Sequence, residues 1–144
     1  MLRKGVDIIS KFIFGFDIDG VLTNDDDGKS NIWLEEASKF FGEPMKKRSY
    51  YIEDAFEKTR EEVQEFFAAR INTIFSTVPV RDHAVETVAS LARRGCTIHM
   101  ITARDERHRE ITERWLKKHG FIYDSLTMSP TNQSYCKGER CQEL

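Results

Sequence analysis

An α/β fold, with a parallel sheet interrupted after its first strand by a helical insertion, is the class this sequence predicts. Three observations predict it. The apolar run Phe12-Ile13-Phe14-Gly15-Phe16 ends abruptly in Asp17-Ile18-Asp19-Gly20, which is how a strand runs into a loop at its carboxyl end. From Pro79 onward strand-like and helix-like patterns alternate, as they do where helices cross over between parallel strands. Between the two, residues 25–77 carry helical periodicity and no strand pattern.

Composition narrows the class. A chain of 144 residues, 40% hydrophobic and 32% charged, is a globular domain with a modest core. A net charge of -2 leaves no electrostatic footprint for a nucleic-acid polymer or an anionic membrane. No apolar stretch approaches the length of a membrane span. Asp7 and Lys11 interrupt the N-terminal apolar residues, unlike a secretory leader, so a cytoplasmic location is expected. Cys96, Cys136 and Cys141 show no paired spacing, which argues against a disulfide framework and against zinc. His83, His99, His108 and His119 are scattered without ligand spacing, and His99 reads as a structural strand residue.

The elements follow in order. Phe12 to Phe16 is the first strand, read as buried and central in the sheet. Asn24 to Lys29 is a polar linker in which Asp25-Asp26-Asp27 reads as a solvated hinge, a second metal site being the alternative. Ser30 caps a helix with Trp33, Ala37, Phe40 and Phe41 on one face, stopped by Gly42. Pro44 and Lys46-Lys47-Arg48 form a loop, and Glu53 to Phe56 a short helical turn. Thr59 with Glu62 is a capping box opening a longer helix through Val63, Phe66, Phe67, Ile71, Ile74 and Phe75. Phe40, Phe41, Phe66 and Phe67 read as packing between these helices, with the lining of a base-binding pocket the alternative.

Beyond Pro79, Arg81 to Arg94 is a helix ended by Gly95, with Ala84, Val85, Val88, Leu91 and Ala92 inward. Thr97 to Ile101 is the second strand. Asp105 caps a helix carrying Ile111, Trp115 and Leu116, whose last turn is basic and which Gly120 closes. A third strand lies within Phe121 to Met128, and a last helix starts near Lys137. The expected domains are therefore 1–24 with 78–144, and 25–77.

The chemistry concentrates at the end of the first strand. Period-two alternation sends Asp17 and Asp19 to the same side, and ligands of open α/β sheets sit at the carboxyl ends of strands. Two carboxylates there are costly unless they hold a cation or move protons.

Asp17-Ile18-Asp19-Gly20-Val21-Leu22-Thr23 resembles the first motif of the haloacid-dehalogenase-like superfamily, mostly Mg²⁺-dependent phosphohydrolases. Ile98-His99-Met100-Ile101-Thr102 resembles its second motif, and Thr102-Ala103-Arg104 a frequent continuation of it. Lys137-Gly138-Glu139 is similar to its third motif. Residues 25–77 resemble the small helical cap inserted after the first motif. With Thr102-Ala103-Arg104, this looks most like the deoxyribonucleotidase-type 5′-nucleotidase branch.

The resemblance implies a Rossmann-like core and a phosphomonoester hydrolase acting on a small phosphorylated substrate such as a nucleoside monophosphate. It implies that Asp17 attacks phosphorus to form an aspartyl-phosphate and that Asp19 protonates the leaving group and then activates water. Mg²⁺ would be held by Asp17 and the backbone carbonyl of Asp19. The phosphoryl oxygens would meet Gly20, Thr102, Ala103 and Lys137. Plainer readings stand beside these roles. The paired aspartates could be turn residues, Thr102 a helix N-cap, and Lys137 a surface lysine; Arg104 could contact substrate or pair with a nearby Glu. The superfamily's fourth motif, an acidic pair after a further strand, does not precede Leu144, so the C-terminal part of the core is expected to be missing. That leaves an open apolar strand edge, for which a homodimer is one solution. It also keeps open a catalytically impaired phosphate-binding module, and transfer to an acceptor other than water.

Overall fold

The computed structural model describes residues 12–131. The elements are β1 (Ile13–Phe16), α1 (Ile32–Phe41), α2 (Ile52–Phe56), α3 (Arg60–Thr77), α4 (Ala84–Arg93), β2 (Thr97–Asp105), α5 (Arg109–His119) and β3 (Ser125–Ser129). The expected helix near Lys137, with Cys136 and Cys141, lies outside the described residues. The chain divides into two compact units, residues 1–24 with 80–144, and residues 25–79.

Among the described residues the first unit holds a three-stranded, wholly parallel sheet in the order β1-β2-β3, a Rossmann-like α/β core. Ile13 pairs with Thr97 and Phe16 with Met100. His99 pairs with Ser125 and Ile101 with Thr127, after which the register slips before Asp105 meets Ser129. A Cβ at Gly15 would lie 3.2 Å from Ile101 Cδ1, closer than an ordinary contact, so the glycine lets the Ile101 side chain pack tightly over β1. Ile18, Leu22, Val88, Ile98, Met100, Trp115 and Leu116 form the core of this unit.

The structure corrects the expectation that β1 is buried, and among the described residues it shows the open apolar strand edge expected where the strand beside β1 is missing. Among the described residues β1 pairs with β2 alone, and its residues alternate between exposed and half-buried. Phe12 and Ile13 are more than half exposed. The strand in the middle is β2, whose residues from Met100 to Thr102 are all buried. An apolar run reports affinity for a sheet; its place in the order depends on partners far along the chain.

Local chemistry explains most boundaries, and moves some. Gly42 and Gly120 stop α1 and α5 in the left-handed region, as expected. The cap of α1 is Asn31, not Ser30: Asn31 Oδ1 accepts from the Trp33 and Leu34 amides. Ser30 is occupied instead, its amide donating to Asp27. α4 starts at Ala84, three residues later than the periodicity suggests. The Arg81 amide donates to Leu22 O, and His83 adopts φ 67°, so neither continues a helix. Of the inward set, only Val88 is fully buried. β2 extends to Asp105, and Asp105 caps a 3₁₀ turn (Glu106–His108) ahead of α5. His99 pairs through its ring with the Ser125 hydroxyl across β2 and β3, a structural role as expected.

The second unit is helical. The Thr59–Glu62 capping box is present in both directions, at 3.2 and 2.9 Å. Phe66 is fully buried against Phe40, Phe41 and Phe67, with ring centroids 5.3–5.9 Å apart. Trp33 packs edge-on against Phe67 and Phe75 and donates its indole N–H to Asp25 at 2.7 Å. Asp26 and Asp27 accept the Gly28, Lys29 and Ser30 amides, and these bonds hold both carboxyls below the usual carboxylate range. Glu36 is buried but compensated by Lys39 and Arg70.

Candidate active site at the ends of β1 and β2

β1 stops at Phe16 because the next residues turn. The Ile18 carbonyl accepts from the amides of Val21, Leu22 and Thr23, at 3.2, 2.8 and 3.2 Å. Thr23, itself fully buried, accepts the Gly20 amide on Oγ1 at 2.9 Å. Gly20 has φ 76°, a conformation that a side chain would strain. Thr23 bridges to Val80, and Arg81 Nη2 donates to Gly20 O at 3.1 Å. The turn is thus tied to the chain where it re-enters the first unit.

Within this turn Ile18 is completely buried while Asp17 and Asp19 on either side stay half-exposed. A buried apolar anchor between two solvent-reaching carboxylates is the arrangement period-two alternation predicts. Asp17 Oδ1 accepts the Ile18 amide at 2.8 Å.

The other half of the site is the end of β2. Arg104 is buried, and its guanidinium grips Asp19. Nη2 lies 2.6 Å from Oδ1, and Nε lies 3.2 Å from Oδ1 and 3.0 Å from Oδ2. Nη1 donates to Thr112 Oγ1 on α5 at 3.1 Å. Of the two readings of Arg104, the ion pair with a nearby Glu is replaced by an ion pair with Asp19. Thr102 is not a helix N-cap. It lies inside β2, fully buried, and its hydroxyl accepts the Arg104 amide at 3.1 Å. Ala103 is exposed beside it. Lys137 lies outside the described residues.

The structure therefore joins Asp19, on the turn that also carries Asp17 and Gly20, to Arg104 at the end of β2, where the Thr102 hydroxyl holds the Arg104 amide. Sequence reasoning missed Thr112 and Arg81. Thr112 carried a signal, a hydroxyl on the same helical face as Trp115 and Leu116. Arg81 carried none beyond its position after Pro79.

Electrostatics beyond the pair are local. Asp105 is held down to about 2, chiefly by the Arg107 side chain and amide. His108 lies below its ordinary value, mainly through burial, with Arg107 and Arg104 adding to the effect and Asp105 opposing it. A cleft of about 210 Å³ opens between the turn and the start of α4, lined by Phe16, Val21, Arg81 and His83 among others. A larger hollow of about 600 Å³ along α5 contains none of the candidate residues.

Among the described residues no group of three or more Asp, Glu, His or Cys converges as a metal shell. What the turn supplies is one carboxylate, Asp17, and the Asp19 carbonyl, since Arg104 engages the Asp19 carboxylate. Hard oxygen donors in that small number fit Mg²⁺ that shares its shell with a substrate phosphate, the usual way Mg²⁺ is bound. No helix among the described residues is long and apolar enough to cross a membrane.

No protein-family model matches the chain. A Bacillus cereus protein carrying the name "Putative nucleotidase" is 32% identical over 111 residues, which cover 75% of this chain. The chain spans 59% of that relative's length. Chains from two solved assemblies, the Pnkp1/Rnl/Hen1 RNA repair complex and the Pnkp1/Rnl/Hen1 complex, are 25% identical over 48% of this chain, covering 22% and 24% of those chains. Both align with a TM-score of 0.42.

Proposed function

We propose that this chain is a phosphomonoester hydrolase whose substrate is a small phosphate, with nucleoside monophosphates the first class to test. The observation that carries the reading is the turn itself: two carboxylates flank a buried anchor at the carboxyl end of a parallel strand, and one is locked to the neighbouring strand by a buried arginine. The nucleotidase-named relative supports the same class.

In this reading the Asp17 carboxylate attacks phosphorus, forming an acyl-phosphate P–O bond as the ester P–O bond breaks. The Asp19 carboxyl delivers its proton to the departing oxygen. It then takes a proton from the water that hydrolyses the acyl phosphate, returning Asp17 to the carboxylate. The Gly20 amide is bound to Thr23, so its part is to shape the turn; Ala103, and Lys137 beyond the described residues, are the proposed phosphate contacts. Mg²⁺, held by Asp17 and the Asp19 carbonyl, would neutralise phosphate charge. Assigning the helical unit as a cap belongs to this same proposal.

The test is phosphate release from nucleoside monophosphates with and without Mg²⁺. Asp17→Asn should lower kcat by about 10³-fold or more, the scale of losing a nucleophile. Unchanged turnover in that variant refutes the assignment. A second reading, a phosphate-binding module without turnover, is favoured by the ion pair that already engages the Asp19 carboxylate with Arg104. It predicts that a nucleoside monophosphate raises the melting temperature while no phosphate is released.

A further inference from the structure

We propose that Arg104 is the positioning residue of the proton-transfer step, holding Asp19 by Oδ1 so that Oδ2 carries the proton. The inference rests on the reading of Asp19 as the acid and base, and extends it to an atom and to a second residue.

The hydrogen bonds to the carboxylate are unequal. Oδ1 receives two, from Nη2 at 2.6 Å and Nε at 3.2 Å, while Oδ2 receives one, from Nε at 3.0 Å. A carboxylate has about four lone-pair sites, so Oδ2 keeps the larger open capacity. The Asp19 side chain is 38% exposed, whereas that of Arg104 is 2% exposed. The guanidinium is the fixed partner and the carboxylate edge the accessible one. Its fixity has named sources. Nη1 is tied to Thr112 on α5, and the Arg104 amide to the Thr102 hydroxyl within β2. A carboxylate on a turn otherwise has free rotation about its side-chain bonds; a bidentate fork backed by a helix removes it.

The step balances simply. The proton on Oδ2 passes to the ester oxygen as the P–O bond breaks and its electron pair moves to that oxygen. Oδ1 stays bonded to Nη2 throughout. In the second half Oδ2 takes the proton of the attacking water.

Positioning of this kind matters only where the leaving oxygen needs a proton. The experiment compares kcat and KM on two substrates: a nucleoside monophosphate, whose alkoxide leaves poorly, and para-nitrophenyl phosphate, whose phenolate leaves unaided. Arg104→Lys keeps the charge and loses the fork. It should lower kcat on the nucleoside monophosphate by about 10²-fold, the scale of a misplaced catalytic group, and lower it far less on the aryl phosphate, with KM little changed. Thr112→Val, which leaves the ion pair in place, should shift the ratio of the two rates the same way by a smaller factor. It also serves if Arg104→Lys fails to fold. Equal losses on both substrates mark a merely structural arginine and overturn the proposal, as does no loss.

Asp19→Asn separates this inference from the reading beneath it. If that variant keeps turnover on the nucleoside monophosphate, or if the wild-type chain hydrolyses neither substrate, the acid–base reading falls and this inference with it. If Asp19→Asn is inactive there while Arg104→Lys and Thr112→Val leave the ratio untouched, the inference alone falls. Independently of activity, the Arg104 Nε–H resonance should be protected from exchange in the wild type and lose protection in Asp19→Asn. An unprotected wild-type resonance overturns the proposal.

Discussion

Removing Asp19 should destabilise the first unit even where no chemistry is measured, and the loss should vanish when Arg104 is removed with it. In Asp19→Ala the guanidinium, 2% exposed, loses its three hydrogen bonds to the Asp19 carboxylate. Breaking a fully buried pair costs about 3–5 kcal/mol, and an exposed pair about 0–1 kcal/mol. With one partner buried and the other 38% exposed, the expected cost is about 2–3 kcal/mol. Arg104→Met alone should cost less, about 1–2 kcal/mol, because Asp19 can turn to water while the methionine refills the stem's volume. The double variant should cost about what Arg104→Met does, giving a coupling of about 2–3 kcal/mol. Urea unfolding followed by tryptophan fluorescence is the assay. Trp115, 1% exposed in the first unit, reports this transition once Trp33 of the helical unit is replaced by Phe. With slopes of about 1–3 kcal/mol per molar urea, Asp19→Ala should lower the midpoint by about 1 M or more. Costs that add to within about 0.5 kcal/mol would refute the reasoning, because the two side chains would then not share their energy.

Further outcomes follow from other parts of the chain. Thr59→Ala removes one arm of an exposed capping box and should cost the helical unit about 1 kcal/mol; Trp33, which packs on Phe67 and Phe75 of α3, reports it by fluorescence. His119 sits against Trp115 with ring centroids 4.6 Å apart, and burial holds its imidazole below the ordinary 6.5, with Lys118 adding to the effect. The unfolded chain then binds the proton first. The stability linked to His119 is complete above pH 6.5 and is lost as the pH falls through the folded value. Urea midpoints read at Trp115 should drop with acidification in that window, and His119→Gln should flatten the slope; an unchanged slope would refute the assignment.

What could be read early and what could not divides by distance along the chain. The Thr59–Glu62 box and the glycine stops at Gly42 and Gly120 are settled within four residues, and the sequence locates each. Where two residues compete for one local task, the reading slips. Ser30 and Asn31 are both good caps, and Asp27 decides between them by taking Ser30. Arg81 looks helical until its amide is seen bonded to Leu22, far behind it. Arg104 is the sharpest instance, since its partner lies 85 residues away and its competing acids lie much nearer.

By itself the sequence determined the alternation of strands and helices, the helical insertion after the first strand, and the pair of acids where β1 runs out. Those depend on periodicity and on residues that cannot continue a strand, both local properties. Only the tertiary structure decided that β2, not β1, is the inner of the described strands, and that the second acid is gripped by a buried guanidinium backed by Thr112. Strand order and ion-pair choice are set by which distant segments come to lie side by side, and desolvation makes a choice binding only after the chain has closed around it.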